Sequence, residues 1–81
     1  MVVYDFKEET EKKIIYWYYP EDDRTKEYGI IVADKINEKI SIVKSAEADF
    51  ASDKYGRHAI RQITERLNND EEPRDGIVMW Y

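Results

Sequence analysis

The segment 14–20, IIYWYYP, is the feature of this sequence that most constrains its fold. Alternate residues of a strand point to opposite sides of a sheet, so Tyr16 and Tyr18 share one side. Trp17 and Tyr19 share the other. Both sides of this strand are therefore strongly apolar. Pro20 ends it, because proline cannot donate a hydrogen bond to a central ladder.

Two further segments are apolar on both sides, and two are not. YGIIVAD (28–34) and IVMWY (77–81) repeat the two-sided pattern of the aromatic strand. VVYDF (2–6) alternates instead, with Val2 and Tyr4 on one side and Asp5 on the other. KISIVKS (39–45) completes a set of candidate strands, because β-branched residues dominate it.

The connection between the third and fourth strands can be placed by matching their faces. A four-residue loop, 35–38, sets Ala33 opposite Ile40, whereas a two-residue loop would oppose lysine and isoleucine. Directly paired residues share a face, so the longer loop is predicted. Asn37 is the residue predicted to adopt the left-handed conformation there.

The period of the sequence changes to that of a helix between residues 52 and 70. Four apolar residues follow the three-then-four spacing of one helix face: Ala59, Ile60, Ile63 and Leu67. Ser52 or Asp53 is the predicted N-cap. The pattern indicates one helix of about four turns with a single apolar face.

These elements predict one domain, residues 1–81, of the α+β class in the order β-β-β-β-α-β. We expect a two-layer fold in which a mostly antiparallel sheet of four to five strands carries one main helix on one face. The last strand would lie antiparallel beside the first. An alternative leaves 2–6 outside the sheet and places the last strand parallel beside 14–19.

One helix covers one face of such a sheet, so the second apolar face needs another cover. We predict that this face binds a partner, either a second copy of the chain in a homodimer or another protein. The loop 20–27, or the segment 46–54 with Phe50, would cover it in a simpler alternative. The predicted partner-binding residues are the aromatics and two rim arginines: Tyr16, Trp17, Tyr18, Tyr19, Trp80, Tyr81, Arg57 and Arg61.

Composition narrows the possible functions. The chain has no cysteine and no apolar run as long as a membrane span, and its first residues lack the order of a signal peptide. The acidic clusters 21–23 and 70–72 are typical of solvated turns rather than calcium loops. We therefore predict a cytoplasmic, non-enzymatic protein with no cofactor and no metal.

Three other chemical interpretations remain open. The aromatic strand resembles a stacking platform for single-stranded nucleic acid, but the net charge of −5 disfavours that partner. His58, the single histidine, would be the centre of a small enzyme or ligand sensor. Arg57 and Arg61 would repel each other unless an anion lies between them. We interpret them instead as a solvated helix face, with Arg61 paired to Glu65.

Overall fold

A computed structural model describes residues 1–49 and 52–80 of the chain. Five strands form one antiparallel sheet in the order β4-β3-β2-β1-β5, and one helix packs on it. The elements are β1 Val2–Glu9, β2 Lys13–Pro20, β3 Gly29–Asp34, β4 Lys39–Lys44, a 3-10 turn at Glu47–Asp49, α1 Lys54–Asn68 and β5 Gly76–Val78. The predicted α+β class and element order are confirmed, and the parallel alternative is wrong because β5 pairs antiparallel with β1.

The turn between β3 and β4 has the predicted length but a different left-handed residue. Ala33 pairs with Ile40, as face matching required. Glu38, with a φ of 52°, takes the left-handed conformation, so the assignment of Asn37 is wrong. The reason is that Asp34 accepts hydrogen bonds from the backbone of Asn37 at 3.1 Å and from its side-chain amide at 2.9 Å.

Burial alternates along the first three strands even where hydrophobicity does not. One side of the sheet is buried and faces α1, while the other side is only partly covered. The buried side contains Val2, Tyr4, Ile14, Tyr16, Tyr18, Ile31 and Ala33. One apolar side of the sheet therefore forms the core, and the other remains partly exposed.

Helix α1 packs on the sheet through the predicted face. Ala59 and Ile63 are fully buried, and Ile60 and Leu67 pack at the edge of the same core. Gly56 lets the helix approach closely, since a side chain there would collide with Ile42. No helix in 1–49 or 52–80 is long and apolar enough to cross a membrane.

A residue outside the predicted helix caps its N-terminus. Asp53 occupies the N-cap position with a φ of 53°, but its side chain makes no capping bond. The buried carboxylate of Asp49 does so, accepting the backbone N–H groups of Tyr55 at 3.0 Å and Gly56 at 2.8 Å. It also accepts the hydroxyl of Tyr18 at 3.0 Å. The predicted N-cap is thus correct in position, but Asp49 supplies the hydrogen bonds.

Candidate functional site

The structure separates the aromatic residues that the sequence grouped together. Tyr16 and Tyr18 are 2% and 0% exposed beneath α1, so they form core and offer nothing to a partner. Trp17 and Tyr19 lie on the opposite side of the sheet, where they are half-buried. Tyr81 lies outside the described residues.

Trp80 and the two arginines lie on the helix side of the sheet. The indole of Trp80 stacks on His58 of α1, with ring centroids 3.9 Å apart and planes 9° apart. Arg57 and Arg61 extend from the same helix. The sheet therefore separates both arginines from Trp17, and their role in partner binding stays a prediction.

The side of the sheet away from α1 is the first candidate surface, and we call it the open face. Strand pairing places its residues in rows, because paired residues point the same way. None of them is fully buried. The open face includes Val3, Asp5, Glu8, Ile15, Trp17, Tyr19, Ile30, Val32, Ser41, Lys44 and Ile77, with Tyr28 stacked on Trp17 and with Lys13, Asp34 and Lys39 at one end.

Two rings at the centre of the open face are enclosed by lysines. Trp17 and Tyr28 stack with centroids 3.8 Å apart and planes 10° apart. The ammonium of Lys7 lies 4.5 Å from the Trp17 centroid, and that of Lys44 lies 4.8 Å from the Tyr28 centroid. Each ring already covers one face of the other, so each lysine must approach the remaining face. Both faces of both rings are therefore occupied.

Two of the three cations that lie over rings of the open face, Arg24 and Lys44, pair with neighbouring acids. Arg24 lies 3.9 Å over the ring of Tyr19 and pairs with Asp5 at 2.7 Å and Asp22 at 2.9 Å. These hydrogen bonds raise the pKa of Arg24 above its already high range. Lys44 pairs with Glu27 at 2.6 Å. Positive and negative charges are thus interleaved on the open face.

The loop between β2 and β3 covers only one corner of this surface. Arg24 lies within this loop and Tyr28 at its end, and both contact the ring of Tyr19. Near Tyr19 the chain therefore covers the sheet itself, as the simpler alternative predicts. Ala46 and Asp49 of the other proposed cover lie in the core, and Phe50 lies outside the described residues. The larger part of the open face is left without a cover from 1–49 or 52–80.

Four further members of the open face were not predicted from the sequence: Lys7, Arg24, Tyr28 and Lys44. Tyr28 could have been found, because the alternation of the third strand places it on the same side as Ile30. Lys44 could not, because a register shift in the pairing of β3 with β4 brings it opposite Ile30.

The second candidate surface is a cationic side of α1, which we call the basic helix face. Lys54, Arg57, His58 and Arg61 line a depression of about 270 Å³. The predicted pairing of Arg61 with Glu65 is not formed. Across the described ranges, no salt bridge involves any of the three permanent cations of this surface.

The ring of His58 stacks on Trp80 rather than donating to a carboxylate of the described segments. Over those same segments, no group of three or more acidic or histidine side chains is placed to hold a metal ion. A larger depression, of about 310 Å³, lies at the C-terminal end of α1 between Leu67 and Ile40, away from both surfaces.

No protein-family model, curated protein or solved structure matches this chain. The function of the protein is therefore inferred from the geometry of the open face and the basic helix face.

Proposed function

We propose that this protein is non-enzymatic and acts through protein–protein association, with a second copy of the chain bound to the open face. The observation that carries this proposal is the apolar content of the open face. Val3, Ile15, Ile30 and Val32 remain only partly covered there, and Ile77 is 49% exposed. Burial of these apolar groups against a partner lowers the free energy of the pair.

The charges of the open face favour a second copy as the partner. The chain has a net charge of −5, so two copies repel each other in most orientations. On the open face, in contrast, Arg24 is paired with Asp5 and Lys44 with Glu27. Two copies that approach through this face meet a nearly neutral, self-complementary surface.

The shape of the open face also suits self-association. Two sheets pack face to face about 10 Å apart with their strands nearly aligned. With a strand spacing of about 4.8 Å and a rise of about 3.3 Å per residue, the face measures at most about 500 Å². Two copies would then bury about 1,000 Å², which is near the lower limit for a specific interface. We therefore propose a reversible dimer rather than a permanent one.

The covered rings support a protein partner over a single-stranded nucleic acid. A nucleobase needs a free ring face on which to stack. On Trp17 and Tyr28 those faces are already occupied, so a base would have to displace Lys7 or Lys44. A protein partner needs only the aliphatic groups and the ring edges.

Sedimentation velocity across a micromolar to submillimolar range tests this proposal. The wild-type chain is expected to shift from monomer to dimer as concentration rises. Val32→Lys should remain monomeric and folded, because Val32 lies mid-strand between Ile15 and Ser41 on the open face. Added charges would face each other across the interface.

Ile36→Lys is the matched control. It adds the same charge to the same hairpin, but Ile36 is 67% exposed in the turn and does not belong to the open face. It should dimerise like the wild-type chain. A wild-type chain that stays monomeric at every concentration, or a Val32→Lys variant that dimerises normally, would overturn the proposal.

A further inference from the structure

The basic helix face concentrates positive charge in a chain that carries more acids than bases. Lys54, Arg57, His58 and Arg61 lie three and four residues apart, so their side chains share one side of α1. Among residues 1–49 and 52–80, these four line the depression of about 270 Å³. Like charges at this spacing destabilise a helix unless an anion lies between them. The arrangement therefore has a cost that a bound anion would remove.

Trp80 holds part of this surface in place. The ring centroid of its indole lies 3.9 Å from that of His58, on which it stacks, and 5.4 Å from that of Tyr55. The ammonium of Lys54 lies 5.8 Å from the Trp80 centroid. A surface histidine normally samples several rotamers, and ordering it on binding costs free energy. The stacking restricts His58 before any ligand arrives, which favours binding.

The positive groups available to a ligand are side chains rather than the helix N-terminus. Asp49 already accepts the backbone N–H groups of Tyr55 and Gly56. The guanidinium groups of Arg57 and Arg61 are not engaged in salt bridges within the described segments. Their planar forks match the oxygen geometry of a phosphate group and bind it through paired, charge-assisted hydrogen bonds.

We propose that the basic helix face binds the dianionic phosphate group of a phosphate monoester. Three permanent cations converge on one small depression, and His58 adds a further donor. This set matches two negative charges and three terminal oxygens better than the single charge of a carboxylate or a phosphodiester. The site is on the opposite side of the sheet from the open face, so binding here does not depend on dimerisation.

A titration with inorganic phosphate, monitored by NMR at constant ionic strength with chloride as the replacement salt, tests the proposal. The amide resonances of α1 residues 54–61 and the side-chain resonances of His58 and Trp80 should shift and saturate together. Arg57→Gln combined with Arg61→Gln should weaken binding about tenfold for each arginine removed.

Lys26→Gln combined with Lys39→Gln is the charge-matched control. It removes the same charge from two exposed lysines outside the basic helix face, and it should leave the binding curve unchanged. Equal weakening by both pairs would mean that phosphate responds only to net charge, which overturns the proposal. Shifts that are spread over all lysines without saturation would overturn it as well.

Two model esters identify the phosphate source. Glycerol 3-phosphate is a monoester and should bind at least as tightly as inorganic phosphate. Dimethyl phosphate carries one charge and models the diester of nucleic acid or of a phospholipid, and it should bind at least about tenfold more weakly. Equal binding of the two esters would refute the assignment to a monoester.

Discussion

Replacing Asp49 with asparagine tests the idea that this carboxylate, and not Asp53, holds the N-terminus of α1. One oxygen of Asp49 accepts the N–H of Tyr55 at 3.0 Å, and the other accepts the N–H of Gly56 at 2.8 Å. The second oxygen also accepts the hydroxyl of Tyr18 at 3.0 Å. Asparagine has nearly the same shape but supplies only one oxygen, so at least one helix N–H group loses its acceptor.

The magnitude follows from these contacts. A buried donor without an acceptor costs about 1–3 kcal/mol, and loss of the negative charge at the helix N-terminus costs about 0.3–1 kcal/mol more. The sum is about 1.3–4 kcal/mol. A chain of 81 residues has a free energy of unfolding of about 4–12 kcal/mol. The variant should therefore lose a substantial part of its stability, and its Tm should fall by about 5 °C or more.

Urea unfolding followed by circular dichroism measures the difference, and Asp53→Asn is the control. The side chain of Asp53 accepts one exposed hydrogen bond, from the hydroxyl of Ser45 at 2.6 Å. Asparagine also tolerates the left-handed conformation that residue 53 adopts. This control should cost less than about 1 kcal/mol. If Asp53→Asn destabilises the protein as much as Asp49→Asn, the assignment of the cap to Asp49 is wrong.

Two further expectations concern the tyrosines of the core. Tyr16→Lys should abolish folding because it buries an unpaired charge, whereas Trp17→Lys should remain folded because Trp17 lies on the open face. Circular dichroism of both variants measures this difference. If both variants are unfolded, both sides of the sheet are buried. Burial raises the pKa of Tyr16 to about 12 and also raises the pKa values of Tyr4 and Tyr18. A tyrosine in the unfolded chain ionises at pH ~10. Above that pH the unfolded chain has lost protons that the folded chain still holds, so the free energy of unfolding should fall as pH rises above about 10. Urea midpoints that stay constant or rise across that range would contradict this expectation.

Local patterns in the sequence determined most of the fold. The candidate strands correspond to β1 to β5, and Ala59 and Ile63, which follow the three-then-four spacing, lie on the buried side of α1. Matching of apolar faces also placed Ala33 opposite Ile40. These predictions succeeded because strand and helix periodicities depend only on residues that are close in the chain.

The sequence identified some members of the two candidate surfaces, among them Trp17 and Arg57, but not the residues that contact them. Lys7 and Tyr28 cover the ring of Trp17, and Lys44 covers the ring of Tyr28, through contacts between separate segments of the chain. Trp80 meets His58 only because β5 returns beside β1 and brings the chain back to α1. Such contacts join residues that are far apart in the sequence, and no local pattern specifies them.

Tertiary contacts also determined which of the two apolar sides of the aromatic strand is buried. By itself, the strand has Tyr16 and Tyr18 on one side and Trp17 on the other, with no preference between them. Pairing decides the matter, because Asp5 of β1 lies directly opposite Trp17. Burying that side would remove the carboxylate of Asp5 from water, whereas on the open face it stays partly solvated and pairs with Arg24. The cost of burying a charge thus assigned the tyrosines to the core and left the tryptophan outside.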